Sequence, residues 1–291
     1  KIAAALLLMP LAPTGDSVFQ APIHLTSAHA APSSTLPGTV KQFTQPATAP
    51  GQRDFSGSIQ SPVSWLIAED QCTEIYDAHG KKLFYGSYPT LRPASGAPTQ
   101  LARALDTWNK RMAKEFENSS APVRSSIDEA RRNGQDVFGA PHFDVVAINA
   151  WGRVDKQMIS CFLEGASYSG GAHPIPTADA LNLDAATGRE IALDEIVTNR
   201  TLLIAAIEAA FQTQYPAAVE RDFPHGVMEV LLMQHPAEKG LSSFCWYMAA
   251  DGSLVIYYPD SVLASYAAGA FTLTIARQDA PRLFTAAYPM E

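Results

Sequence analysis

The sequence is short of charge. Lys, Arg, Asp and Glu together make 17% of its 291 residues, against roughly 25% in ordinary soluble domains. No run of Lys and Arg forms a basic patch of the kind that grips a phosphate backbone, which argues against nucleic acid as a partner. The formal charge of −8 instead suits a cationic partner. No apolar run after the first dozen residues is long enough to cross a bilayer, which takes about 20 helical residues. The seven histidines show no His-x-x-x-His or carboxylate-flanked spacing, so neither a metal site nor a cofactor is expected. Only three cysteines are present, Cys72, Cys161 and Cys245. Their spacing fits no zinc ribbon and no Cys-x-x-Cys redox motif. Three is odd, so at least one is free or pairs between chains, and the sequence does not choose a pair.

What is present begins with Lys1 and a short apolar stretch through Leu11-Ala12. A cation ahead of about ten apolar residues is the core of a signal peptide. Residues 1–30 are therefore read as a signal peptide whose start is trimmed, with cleavage at Ala28-His29-Ala30 or, alternatively, near Ala12. Residues 31–54 continue a stretch rich in Pro, Ser, Thr and Ala that cannot bury enough apolar surface to offset the entropy of ordering, and read as a tether. The expected location is the bacterial periplasm or the medium, with no stable membrane insertion once the signal is removed.

Folded structure is expected over 55–140 and 141–288. Ser64–Ile67 reads as a strand, and Thr73–Tyr76 with Lys82–Tyr85 as a hairpin about Asp77–Gly80. Tyr88-Pro89 leads into a Pro/Gly loop over 92–98. Leu101, Leu105, Trp108 and Met112 recur at helical spacing, with Trp108 as a core anchor and Arg103, Asp106, Lys110 and Arg111 as polar fill. Asn118–Pro122 is expected to interrupt that helix before a second piece ends at Asn133-Gly134. Phe143–Ala150 and Gln157–Tyr168 form long strands around Gly152–Asp155. Ala180–Leu183 pairs with Glu190–Leu193, and Asp194 caps a short turn. Helices follow at Leu202–Phe211 and Val227–Met233. A hairpin is expected over Ser243–Met248 and Leu254–Tyr257, then a strand at Phe271–Ile275 and a turn at Ala280–Phe284. Helices and strands are grouped, which predicts an α+β fold: a largely antiparallel sheet with helices packed on it, the two parts forming one compact unit.

The most distinctive segment is Ser167-Tyr168-Ser169-Gly170-Gly171-Ala172-His173-Pro174. Two glycines allow close approach of another molecule, Tyr168 offers a stiff amphipathic ring, and His173 a donor or acceptor. It reads either as a binding loop or as a plain turn with Tyr168 packed and His173 bonded to backbone. An esterase or glycan hydrolase using Ser169 and His173 is the rival from the enzyme class. Against it, the first Gly of a Gly-x-Ser-x-Gly elbow is replaced by Ser167, and no Asp is placed to orient His173. Asp184 with Asp194 or Glu195 could be drawn as an acid–base pair, but they read better as turn and cap residues. Tyr257-Tyr258, Phe244 and Trp246 read as strand core. No catalytic residue is assigned.

Several stretches resemble the RsiV-type extracytoplasmic family. They are Tyr168-x-Gly170-Gly171-Ala172-His173, Asn182-Leu-Asp184-x-x-Thr187-Gly188 and Ile191-x-Leu193-Asp194-Glu195-Ile196. Nearer the end come Leu254-Val-Ile-Tyr-Tyr258-Pro and Ala264-x-Tyr266-Ala-Ala-Gly269. Upstream, Tyr88-Pro89 before a long helix is similar to its companion part, so the likeness covers roughly residues 55–285. Members include anti-sigma factors whose outer domain binds lysozyme, and proteins carrying this domain ahead of a peptidoglycan deacetylase. The resemblance implies helices on a sheet in one unit, with lysozyme or peptidoglycan fragments as partner. The contact residues expected from the chemistry of the loop are Tyr168, Ser169, Gly170, Gly171 and His173, with Tyr266 and Gly269 alongside. The sequence shows no internal transmembrane helix, sigma-binding segment or deacetylase domain, so only the recognition module is expected to carry over.

Overall fold

A computed structural model describes residues 57–137, 140–170 and 174–290. The expected signal peptide and tether, together with Gly171, Ala172 and His173, lie outside the described residues.

Alternating apolar positions build a five-stranded sheet in the order β1-β2-β3-β4-β5. Its strands are β1 (Leu66–Tyr76), β2 (Lys82–Pro93), β3 (His142–Val154), β4 (Met158–Tyr168) and β5 (Ile175–Asp184). All neighbours are antiparallel except β2 and β3, which pair in parallel over Phe84–Ser87. A parallel pair needs a crossover, and α1 (Leu101–Arg132) supplies it. Leu101, Leu105, Trp108 and Met112 are buried on Leu91, Ile148, Ile159, Cys161 and Leu181, as the helical spacing implies.

The opposite face of the sheet carries a second, three-stranded antiparallel sheet of β6 (Cys245–Met248), β7 (Leu254–Tyr258) and β8 (Phe271–Ile275). The helices α2 (Leu193–Ile196), α3 (Arg200–Gln214), α4 (Pro216–Asp222) and α5 (Val227–Gln234) cluster about that sheet. Leu203, Ile207, Phe211 and Leu231 meet Leu254, Ile256, Phe271 and Leu273 in its core. The architecture is α+β, and largely antiparallel, as expected. Among the described residues no helix is long and apolar enough to cross a membrane.

Several local expectations are corrected. Pro122 does not break α1. An internal proline costs about 3 kcal/mol, but Phe116 before it and Ile127 after it are buried in one cluster with Leu83 and Phe84, and that packing holds the helix together. The loop expected from residue 92 starts later, because β2 runs to Pro93. Beyond Ser87 strand β2 has no backbone partner from β3. The Asn109 side chain stands in for a strand there, accepting from the Leu91 N–H and donating to its carbonyl, both at 2.8 Å. Strand β3 runs through Gly152–Val154, and the turn falls at Asp155, whose carboxylate takes the N–H groups of Gln157 and Met158. The expected pairing of Ala180–Leu183 with Glu190–Leu193 reduces to one bridge, Leu183 to Glu190, on the edge of β5 opposite to the one paired with β4. The cap position before α2 belongs to Ala192, with Asp194 inside the first turn. The short α4, opened by Pro216 at its first turn, has no counterpart in the sequence reading.

All three cysteines are free. Cys161 faces α1, whereas Cys245 lies on β6, which packs on the other face of β4, so the two thiols point to different layers.

Two buried polar side chains join the sheets. Ser160 on β4 donates to Asn182 Oδ1 on β5 at 2.6 Å and accepts from the Met248 N–H at 2.8 Å. Asn182 Nδ2 donates to the Trp246 carbonyl at 2.9 Å. The edge of β6 that β7 leaves unpaired is thus satisfied by side chains of the other sheet. Contact is so close at Gly152 that a side-chain carbon there would meet the Met248 carbonyl oxygen at 2.0 Å. A buried acceptor left without a partner costs about 1–3 kcal/mol. Asn182→Ala should therefore lower the unfolding free energy by about 2–3 kcal/mol in urea titration. Arg92→Ala, which removes only the exposed pair with Glu69, should cost less than about 1 kcal/mol. Equal effects of the two would contradict the assignment.

Candidate functional site

Pairing of β4 with β5 ends at Ser167 and Ile175, so the chain turns between them. Tyr168 sits opposite Phe143 and stacks on it, with ring centroids 5.6 Å apart. His142 lies 6.4 Å from the same ring. Beyond this aromatic platform Ser169 is exposed, and Gly170 follows with φ +99°. An added side-chain carbon at Gly170 would find only His142 Cε1, at 4.0 Å. Tyr168, Ser169 and Gly170 are thus gathered at one surface turn. Gly171 and His173, expected beside them, are outside the described residues. Tyr266 and Gly269 belong to the connection between β7 and β8, on the other sheet; Tyr266 opens a 3-10 turn and Gly269 lies beside the Asp260 carboxylate.

The other stretches that carry the family resemblance have structural roles. Asn182 joins the sheets. Asp184 accepts from the N–H groups of Ala186 and Thr187 and from the Tyr288 hydroxyl. Burial raises its pKa, but those bonds outweigh burial and hold it below the usual carboxylate range. Glu195 pairs with Arg189 through two bonds of 2.6 Å and takes the Ala192 N–H. The Arg189 bond holds its carboxyl low. Both acids stay ionised in turn and cap positions, so no carboxyl there is poised to give up a proton. Tyr257 and Tyr258 are buried core residues, with the Tyr257 hydroxyl on Glu164 at 2.6 Å.

A concave surface that the sequence reading did not find runs between α1 and β5. A cavity of about 400 Å3 is lined by Trp108, Arg111, Leu183, Thr187 and Glu190. A smaller one of about 220 Å3 continues past Glu115, Asp144, Ser167 and Asp179. Burial pushes Asp144 above its ordinary value, against a weaker pull from the Ser119 hydroxyl. The signal was a row at spacing four, Arg103, Thr107, Arg111 and Glu115, next to the apolar stripe of α1. Such a row faces the rim of whatever the helix packs on.

The sequence reading also missed His235. Its Nδ1 meets Ser243 Oγ at 2.8 Å and its Nε2 meets the Tyr258 hydroxyl at 2.9 Å. The ring lies flat on Phe244, 3.6 Å away. A serine, an imidazole and a phenol in line have the parts of a nucleophile relay. His235 is 3% exposed, however, so the line serves packing. Among the described residues no group of three His, Cys, Asp or Glu is arranged to hold a metal ion.

The fold defines a class: two antiparallel-rich sheets face to face, with one long helix outside the larger. Among the solved structures that share it are two DUF3298 family proteins. One is a member of the DUF3298 family from Bacteroides fragilis NCTC 9343, with a TM-score of 0.55 and 14% identity over 76% of this chain and 93% of that one. The other is a DUF3298 family protein from Pseudomonas aeruginosa PAO1, with a TM-score of 0.50 and 14% identity over 76% and 95%. No protein-family profile and no curated protein matches the sequence. At this identity the likeness establishes the fold.

Burial, with the nearby Arg200 and Lys239, lowers the His235 pKa to about 4. Its neutral form therefore belongs to the folded state, while the unfolded chain takes up a proton near pH 6.5. The stabilisation is full above about pH 6.5 and is lost as pH falls toward 4, by about 3 kcal/mol in all. Denaturation curves at pH 7 and pH 4 should show that acid loss in the wild type and a smaller one in His235→Gln. The same loss in both would place the acid sensitivity elsewhere.

Proposed function

We propose that this chain is a non-catalytic recognition protein of the bacterial cell envelope, a member of the DUF3298, or RsiV-like, group, that binds lysozyme or a peptidoglycan-related ligand through the β4–β5 turn. The observation that carries the reading is the exposed Ser169, followed by the half-buried Gly170, beside the Tyr168–Phe143 platform. A turn that lacks side-chain bulk can enter a cleft, and a stacked base limits the entropy lost on docking. The order of family-like stretches along the chain and the shared fold of the DUF3298 structures support the same reading. So does the formal charge of −8, which would speed encounter with a cationic partner at low salt.

The test is binding of purified lysozyme, in parallel with soluble peptidoglycan fragments, to the wild type and to Gly170→Val. Space around Gly170 is open, but its positive φ costs an L-residue about 1–2 kcal/mol. The variant should fold with a slightly lower melting temperature and bind at least about tenfold more weakly. Unchanged binding by the variant, or no binding of either ligand by the wild type, would refute the proposal. Turnover of the fragments that disappears in Ser169→Ala would replace it with the hydrolase reading.

A further inference from the structure

We propose that the larger cavity between α1 and β5 is a second binding site, for a neutral sugar ring. It concerns a different surface from the β4–β5 turn and stands without the reading of that turn. Three observations carry it.

The first is Trp108. The residue is 4% exposed and lines the cavity, yet among the described residues its indole N–H has no hydrogen-bond acceptor. A buried donor left in that state costs about 1–3 kcal/mol; the nitrogen lies just beneath the accessible surface, so a ligand oxygen recovers that cost by drawing the ring toward the cavity.

The second is Arg111. Its Nε, Nη1 and Nη2 atoms stand 4.0, 3.9 and 3.8 Å from carboxylate oxygens of Glu115, Glu190 and Asp179. All three gaps exceed the 2.7–3.2 Å of a hydrogen bond. A hydroxyl can fill such a gap, because its oxygen accepts from a guanidinium while its proton goes to a carboxylate. Of the three carboxylates Glu190 lines this cavity, while Glu115 and Asp179 line the smaller one, so a ring hydroxyl enters here between Arg111 and Glu190. A simple anion does not suit the place, since three carboxylates surround the one guanidinium. A simple cation would meet Arg111 itself, and Arg103 at the rim.

The third is shape. The volume of about 400 Å3 falls at the small end of the range for ligand sites, about 300–1,000 Å3, and suits one or two rings. Leu181 and Leu183 supply an apolar floor for the C–H face of a sugar. The Thr187-Gly188 turn forms a fixed wall. Gly188 has φ +72°, and a side-chain carbon there would sit 2.6 Å from Ala104 Cβ, so the turn is pressed against α1. The family-like stretch Asp184-x-x-Thr187-Gly188, which the β4–β5 turn leaves unused, thus shapes this cavity.

The experiment titrates the isotope-labelled chain with N-acetylglucosamine, its trisaccharide and maltotriose while following indole N–H resonances. The sequence has four tryptophans, and Trp108→Phe assigns the signal of interest. The proposal expects the Trp108 indole to shift saturably with at least one sugar. Arg111→Met should weaken that binding about tenfold or more, with its fold retained because the side chain is partly exposed. Gly170→Val should bind the sugar as the wild type does, and Arg111→Met should keep any lysozyme binding. No shift of the Trp108 indole at tens of millimolar of any of the three sugars would overturn the proposal, as would equal affinity in Arg111→Met. If Trp108→Phe does not fold, the Arg111→Met comparison still decides.

Discussion

Ser160 and Asn182 hold the two sheets to each other, and the rest of the molecule is arranged around that seam. Both are buried polar side chains in a layer that is mostly apolar. They are tolerated there because every polar group of the pair has a partner, and two of those partners are backbone groups of β6. An isolated buried amide or hydroxyl would destabilise the layer; a satisfied pair fixes which residues of β6 lie against β4 and β5. A purely apolar contact would not choose one register over its neighbours. Above the seam, the Tyr257 hydroxyl on Glu164 repeats the device between β7 and β4.

The seam also explains where surface is left open for the two proposed sites. Strand β5 is buried at its C-terminal end, over Leu181–Leu183, and exposed at its beginning, with Ile175 at 66% exposure. The buried end rests on β6 and carries the turn that walls the cavity. The open end carries the Ser169-Gly170 turn. One strand therefore borders two surfaces, the Ser169-Gly170 segment and a groove, on the same rigid base. Rigid elements presenting a short irregular segment are the usual arrangement for binding sites.

Much of the core was legible because it depends on local periodicity. Leu101, Leu105, Trp108 and Met112 announce a buried helix face, and Phe271–Ile275 alternates as a strand should. What was not legible depends on partners distant in sequence. Pro122 reads as a break until Phe116 and Ile127 are seen in one cluster. The first half of β5 contains Pro176 and alternates little, and its strand character comes from β4. Arg111 looks like solvated fill because its carboxylate neighbours Asp179 and Glu190 arrive from β5 and the turn after it. His235 has hydroxyl partners 8 and 23 residues away, and no spacing rule reaches them. For the candidate loop, the two glycines beside an aromatic are turn chemistry readable from residue types, and Ser169 is exposed there. That Tyr266 and Gly269 belong to the other sheet required the chain trace.

Native-state hydrogen exchange at the Met248 amide tests the seam most directly, because that N–H donates to a side chain of the opposite sheet and to no strand on that edge. If Ser160 and Asn182 bind the sheets into one cooperative unit, Met248 should exchange only through global unfolding, with the same free energy and denaturant dependence as central amides of β4. Exchange of Met248 through a cheaper opening that frees 245–275 while β4 stays protected would show that the sheets separate, and the account would be wrong.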